Sequence, residues 1–303
     1  MSANTKIEWC DHTWSPVWGC TEVSKAETGG GGCDNCYARV LAHRFGTGWN
    51  GAPMREFGDH HWNEPMRWNR RAADAGTTPR VFPSMCDPFD KNWPAGVRTR
   101  FFELIERTPH LCWLLLTKRI GNVARMLEEQ GLSGLPSNVW IGATIVNQEE
   151  ADRDIPKLLA VPAAKHFLSM EPLLGAVDLE TIYNSTGLGE GQPYLHPLLG
   201  WVSDGHGDGC RAERIDWVIV GGESGHGARP MHPDWARSLR DQCQAAGVPF
   251  LFKQWGEWAP YDRSRNDGAA LATPNALDEP LQRFGKAVAG RLLDGRTWDG
   301  VPS

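Results

Sequence analysis

Three cysteines near the start of the chain, Cys20, Cys33 and Cys36, have the residue type and spacing to hold a metal centre. Cys33 and Cys36 have two residues between them, so two thiolates can reach one metal. Cys20 returns to them across a loop containing the glycine run 29–32, and those glycines make the return sterically easy. Two metal chemistries compete. Tetrahedral structural zinc needs a fourth ligand, for which Cys10, His12 and His43 are candidates. An iron-sulfur cluster held by only three thiolates leaves one iron open to a substrate or cofactor. A packing or free-thiol role suits a glycine-rich C-x2-C loop poorly. Cys86, Cys112, Cys210 and Cys243 are scattered, and Cys112 and Cys243 fall in strand and helix patterns as small apolar fillers.

A second set of polar residues follows short apolar runs. Ser84 and Asp87 follow the run from Arg80, Lys118 and Arg119 follow Cys112-Trp-Leu-Leu-Leu-Thr117, and Asn147 follows Val139-Trp-Ile-Gly-Ala-Thr144. Glu171 follows His166-Phe-Leu-Ser-Met170, Glu223 follows Asp216-Trp-Val-Ile-Val-Gly221, and Lys253 with Gln254 ends the run from Val248. Any one of these could be a cap or a surface ion pair. Their recurrence after nearly every run points to a shared pocket, because in parallel βα architectures the loops at the carboxyl ends of the strands form the ligand site. The segment Gly221-Gly222-Glu223-Ser224-Gly225 reads either as a loop whose backbone N–H groups approach a carboxylate or phosphate, or as a tight turn out of a strand. It lacks the G-x-G-x-x-G spacing of a dinucleotide fold.

The elements that must position these groups are six buried, mostly parallel strands separated by helices over residues 97–107, 120–130, 148–160 and 234–246. Pro233 and Gly247 mark the start and stop of the last helix. Such β-then-α repetition predicts an α/β fold, either a barrel or an open doubly wound sheet. Residues 1–260 read as one domain carrying the cysteine loop at 19–37, with insertions over one face near 49–75 and 186–213. Residues 261–303 form a C-terminal extension, of which 291–298 packs back as a hairpin or turn.

At 303 residues the chain can bury a sizeable core. Its net charge of -6 argues against a broad phosphate-binding surface. Fifteen tryptophans suit a core, and also stacking on bases or planar ligands. No apolar run is long enough to span a membrane and no secretion signal opens the chain, so the protein is expected in the cytoplasm, bacterial or phage-encoded, with no membrane partner. There a cysteine cluster binds metal or does chemistry more often than it forms disulfides. A zinc hydrolase finds no H-E-x-x-H support.

Several blocks carry a family resemblance: Lys6-Ile-Glu-Trp9, Thr13-Trp-Ser-Pro16, Gly19-Cys-Thr-Glu-Val-Ser24, Cys33-Asp-Asn-Cys-Tyr-Ala38 and Leu115-Leu-Thr-Lys-Arg119. Leu168-Ser-Met-Glu-Pro-Leu-Leu-Gly175, Asp216 to Gly225, Ala228-Arg-Pro-Met-His232 and Phe252-Lys-Gln-Trp-Gly256 continue it. Together they resemble the phage-associated three-Cys-motif family, which is similar in turn to radical S-adenosylmethionine enzymes. That resemblance implies a partial (βα) barrel, a 4Fe-4S cluster on Cys20, Cys33 and Cys36, and S-adenosylmethionine on the open iron. Reductive cleavage of that cofactor would generate a 5'-deoxyadenosyl radical to modify an unidentified substrate, with nucleobases, nucleotides and nucleic acids as candidates. Lys118 and Lys253 are the implied catalytic residues. Tyr37, Glu171, Gly221, Gly222 and Glu223 are the implied cofactor-binding residues. An external electron donor and a family-associated partner protein are implied as well. The alternative is a non-catalytic zinc- or cluster-stabilised module that binds nucleic acid or protein.

Overall fold

Short apolar runs flanked by polar or Pro residues become the strands of the main sheet. The computed structural model describes residues 2–23, 31–44, 49, 53–183, 194–203, 208–261, 271–272 and 280–303. Part of the cysteine loop, the His43 side chain, and parts of the expected insertions and C-terminal extension lie outside the described residues. Seven strands form the sheet: β1 (His12–Thr13), β2 (Arg80–Phe82), β3 (Cys112–Thr117), β4 (Val139–Thr144), β5 (Lys165–Met170), β6 (Trp217–Gly221) and β7 (Phe250–Gln254). Their order in the sheet is their order in the chain. The pairings β1–β2, β2–β3, β3–β4, β5–β6 and β6–β7 are parallel. The fold is therefore mixed α/β on a parallel sheet, and the expectation of about six or more such strands is met. Among the described residues no helix is long and apolar enough to cross a membrane.

The chain divides into two compact units, residues 1–143 with 160–166, and residues 144–159 with 167–303. In the first, helices α1 (Tyr37–Arg44), α2 (Glu64–Ala75), α3 (Val97–Glu106) and α4 (Val123–Glu129) accompany β1 to β4. The expected helix over 120–130 opens as a 3-10 turn at Ile120–Asn122 before α4 begins. Every residue of β3 except Leu116 is buried, as a strand covered on both faces must be. Trp14 centres an aromatic core. Its ring meets Trp113 edge-on at 5.7 Å and Trp62 edge-on at 5.2 Å, and stacks on His61 at 5.0 Å. Trp62 and Trp68 both fall within segment 49–75, and both are buried in this unit.

In the second unit, α5 (Gln148–Leu159) and α6 (Pro233–Ala246) accompany β5 to β7. Helix α6 starts with Pro233 in its first turn. The His232 ring accepts a hydrogen bond from the Asp234 N–H at 3.0 Å, and Gly247 ends the helix at φ 65°. Ala236, Leu239 and Cys243, at helical spacing, are its buried face. Two antiparallel sheets complete the unit. One runs in the order Gly209–Arg211, Trp201–Ser203, Tyr194–His196, Ile182–Tyr183, and the other in the order Trp258–Pro260, Leu281–Arg283, Leu271–Ala272. The end of the chain returns along the outer edge of β7. The Phe252 N–H donates to the Trp298 carbonyl at 2.9 Å, and the Gly300 N–H donates to the Phe250 carbonyl at 3.0 Å.

Candidate functional site

In the first unit the polar chemistry gathers where β2 and β3 end. Asp87, in the loop after β2, is buried. Its Oδ1 accepts from Thr117 Oγ1 at 2.7 Å and its Oδ2 from the Lys118 N–H at 3.0 Å, so one carboxylate ties the exits of both strands together. Asp90, with no exposed surface, accepts from the Thr21 N–H at 2.7 Å and the Thr21 hydroxyl at 3.3 Å. Between the two acids lies the Arg119 guanidinium, 2.8 Å from Asp87 Oδ2 and 3.3 Å from Asp90 Oδ2. Buried carboxylates need such a counterion.

Arg119 also reaches the cysteine loop. Its Nη2 donates to the Thr21 carbonyl and its Nη1 lies 3.8 Å from Cys20 Sγ. Burial and the neighbouring Asp87 push the Cys20 thiol up to about 12, a shift that the Arg119 charge opposes. Burial raises Cys33 too, and there the opposing charge is chiefly Lys118. Of the consecutive cations that leave β3, Arg119 thus acts on both cysteines and Lys118 on Cys33. The Cys36 N–H donates to the Cys33 carbonyl at 3.3 Å, closing the turn that leads into α1. Tyr37, half exposed, donates from its hydroxyl to the Ser84 carbonyl at 2.6 Å, which fixes the start of α1 to the loop after β2.

The fit to a metal is one of donor chemistry. Cys20, Cys33 and Cys36 carry thiols, soft donors of the kind that iron and zinc accept, and Lys118 and Arg119 are cations able to balance thiolate charge. As placed, no three His, Cys, Asp or Glu side chains among the described residues form a group that could hold a metal ion. Cys86 adds a further thiol in this neighbourhood. Burial raises it well above the ordinary thiol value, and the proximity of Cys20 contributes in the same direction.

The second unit brings together the other predicted residues. Lys253 Nζ contacts both oxygens of Glu171, at 2.8 and 2.6 Å, and Gln254 Nε2 donates to Glu171 Oε1 at 2.9 Å and to Ser224 Oγ at 3.0 Å. Gly221 packs against this carboxylate, where a Cβ would lie 3.3 Å from the Glu171 carboxyl carbon. Gly222 has a different job. A Cβ there would lie 2.0 Å from the Trp255 carbonyl oxygen, and one on Gly256 would lie 2.1 Å from the Glu223 carbonyl oxygen, so two backbones cross with no room for side chains. Glu223 is gripped by Arg229: its Oε2 accepts from the Arg229 N–H at 2.8 Å and Nε at 2.9 Å, and its Oε1 from Nη2 at 2.6 Å. That bidentate pair fastens the loop following β6.

Sequence reasoning gives no role to Asp90, and none to Arg229 beyond its place in a resembling block. Asp90 had one signal, the pair of acids in Asp87-Pro-Phe-Asp90 just after a strand. Among the tryptophans the core reading prevails at many positions, Trp9, Trp14, Trp62, Trp68, Trp93, Trp113, Trp217 and Trp255 all being buried.

No curated protein and no solved structure matches this chain. A family model does: residues 4–302 match the family described as "Protein of unknown function (DUF5131)", and the chain belongs to that family.

Proposed function

We propose that the protein is a radical S-adenosylmethionine-type iron-sulfur enzyme on a partial (βα) barrel, with a 4Fe-4S cluster held by Cys20, Cys33 and Cys36. The observation that carries this reading is where the cysteine arms meet the sheet: Arg119, directly after β3, lies 3.8 Å from the Cys20 thiol, and Tyr37, directly after Cys36, bonds the Ser84 carbonyl beyond β2. Carboxyl-terminal strand ends are where parallel βα folds bind ligands. The resemblance to phage-associated three-Cys-motif proteins supports the same reading.

Bound there, the cluster and S-adenosylmethionine would supply a 5'-deoxyadenosyl radical for hydrogen abstraction, a chemistry that belongs to the cofactor. The chain's own residues supply position and charge. Lys118 and Arg119 offset the negative charge of the thiolates, while Asp87 and Asp90 keep Arg119 in place. In the second unit, among the described residues, the hydrogen bonds of Lys253 Nζ go to the two oxygens of Glu171, and an ammonium with three donors has one more for an acceptor on a ligand. The substrate class we propose is a nucleobase, nucleotide or nucleic acid, on the strength of the phage-family resemblance and the fifteen tryptophans.

A second reading, a non-catalytic zinc-stabilised binding module, is favoured by the proximity of Cys86 to Cys20, since a fourth thiolate would close a tetrahedral site. Anaerobic incubation of the reconstituted protein with dithionite and S-adenosylmethionine separates the two. The enzyme reading expects release of 5'-deoxyadenosine, and persistent absence of that product with an intact cluster would overturn it.

A further inference from the structure

We infer that Arg119 is a positioning residue for Cys20, holding one of the three thiols at the strand ends independently of the other two. The inference rests on the cluster reading for its consequence and on geometry alone for its mechanism.

The two cysteine arms are secured by different means. Cys33 and Cys36 belong to one local turn, closed by the Cys36 N–H to Cys33 carbonyl bond and continued into α1 by the Val40 N–H to Cys36 carbonyl bond at 3.3 Å. Backbone bonding of that kind survives most changes elsewhere. The Cys20 arm follows a two-residue strand, Val17–Trp18, paired with Arg55–Glu56, and the Gly19 N–H donates to the Met85 carbonyl at 3.4 Å; past Gly19 the bonds that hold it among the described residues come from side chains of distant loops. Thr21 is bound through its N–H and hydroxyl to Asp90, and its hydroxyl accepts from Asn92 Nδ2 at 2.7 Å. Arg119 takes the remaining Thr21 group, its carbonyl, and stands at the Cys20 sulfur.

Four partners on one guanidinium need its planar, forked donors: Asp87, Asp90, the Thr21 carbonyl and the Cys20 sulfur. A lysine ammonium at this position would keep the charge but present a single point of contact. Arg119 is itself set from behind, since its N–H donates to Thr117 Oγ1 at 2.8 Å and that hydroxyl donates to Asp87. Without the guanidinium, two buried carboxylates would lack their shared cation and the Thr21 carbonyl would lose its Arg119 donor, so the site would admit water and the Thr21 segment would loosen. Cys20 would go with it.

Arg119→Lys and Arg119→Gln test this by backbone hydrogen exchange on the metal-free protein, resolved for residues 19–22 and, as internal control, for α1. Both variants should exchange at 19–22 about tenfold faster or more, the scale set by loss of a charge-assisted hydrogen bond, while α1 exchanges near the wild-type rate and the melting temperature falls less for Arg119→Lys, which keeps the charge beside Asp87 and Asp90, than for Arg119→Gln. After anaerobic reconstitution, both should lose iron to a chelator about 10- to 100-fold more readily, as metal sites do when outer-shell partners are removed. Unchanged exchange at 19–22 in a folded variant would overturn the inference. So would global unfolding of both variants, which would assign Arg119 to the fold at large. If wild type takes up no iron, the cluster reading fails on its own, and the exchange result still decides whether Arg119 holds Cys20.

Discussion

Lys253 Nζ sits between the two oxygens of Glu171, 2.8 Å from one and 2.6 Å from the other, with both side chains largely buried. Removing one member of a pair like this leaves the other charged and enclosed. Lys253→Met should therefore lower stability by about 3 kcal/mol, whereas Glu171→Gln, which keeps an acceptor for Lys253 and Gln254, should cost less. Urea unfolding midpoints measure both, and an unchanged midpoint in Lys253→Met would mean that the pair is not acting as a buried ion pair.

The glycines after β6 and β7 differ in what they tolerate. Gly222→Ala drives a methyl group into the Trp255 carbonyl, and Gly256, at φ 82°, meets the Glu223 carbonyl in the same way. Gly225 has a positive φ of 98° but open space around it. Gly225→Ala should cost about 1 kcal/mol through backbone strain alone, and Gly222→Ala several times more. Melting temperatures of the two variants check the order. Similar values would contradict the close crossing of the two backbones.

The C-terminal residues cover the edge of β7. Besides the bonds to Phe250 and Phe252, the Trp217 indole donates to the Gly300 carbonyl at 2.7 Å. Deleting residues 298–303 should bare a strand edge and make the protein self-associate, since exposed edges template further pairing. Size-exclusion chromatography of the truncated protein reads this directly, and a monomer as stable as the full chain would refute the covering role.

Acid should weaken the first unit through His12. Its ring stacks on Trp68 at 4.5 Å, and burial lowers its proton affinity below the ordinary histidine value of 6.5. The unfolded chain then binds a proton near pH 6.5 while the folded chain does not. Stability is full above that pH, and it falls as pH drops through 6.5 toward the lowered folded value. His61, also lowered by burial, adds in the same direction. Unfolding midpoints at pH 7.5 and 5.5 should differ in wild type and differ less in His12→Phe. An identical pH response in the two proteins would remove His12 from the account.

Much of the sheet is legible in the chain because the central strands are continuous apolar runs. β3 and β4 have the bounds expected of them, since nothing inside Cys112–Thr117 or Val139–Thr144 interrupts pairing. Strand β2 ends at Phe82 rather than continuing to residue 85, and Pro83, with no N–H to donate, is the physical reason. Pro249 likewise delays β7 to Phe250, and Gln254 extends it by one residue. The short antiparallel strands such as Trp201–Ser203 and Leu281–Arg283 are two or three residues long, too brief for periodicity to register. Strand-end positions of Lys118, Glu171 and Lys253 follow from the same apolar runs. The grip of Arg229 on Glu223 and of Asp90 on Thr21 depends on loop paths, which no local pattern encodes.

The most direct measurement is the metal content of the chain isolated without oxygen, compared with its Cys33→Ala variant. Iron and acid-labile sulfide in equal amounts, approaching four of each per chain as expected for a 4Fe-4S cluster and lost in the variant, is the predicted result. Stoichiometric zinc without iron in the wild-type protein would contradict it.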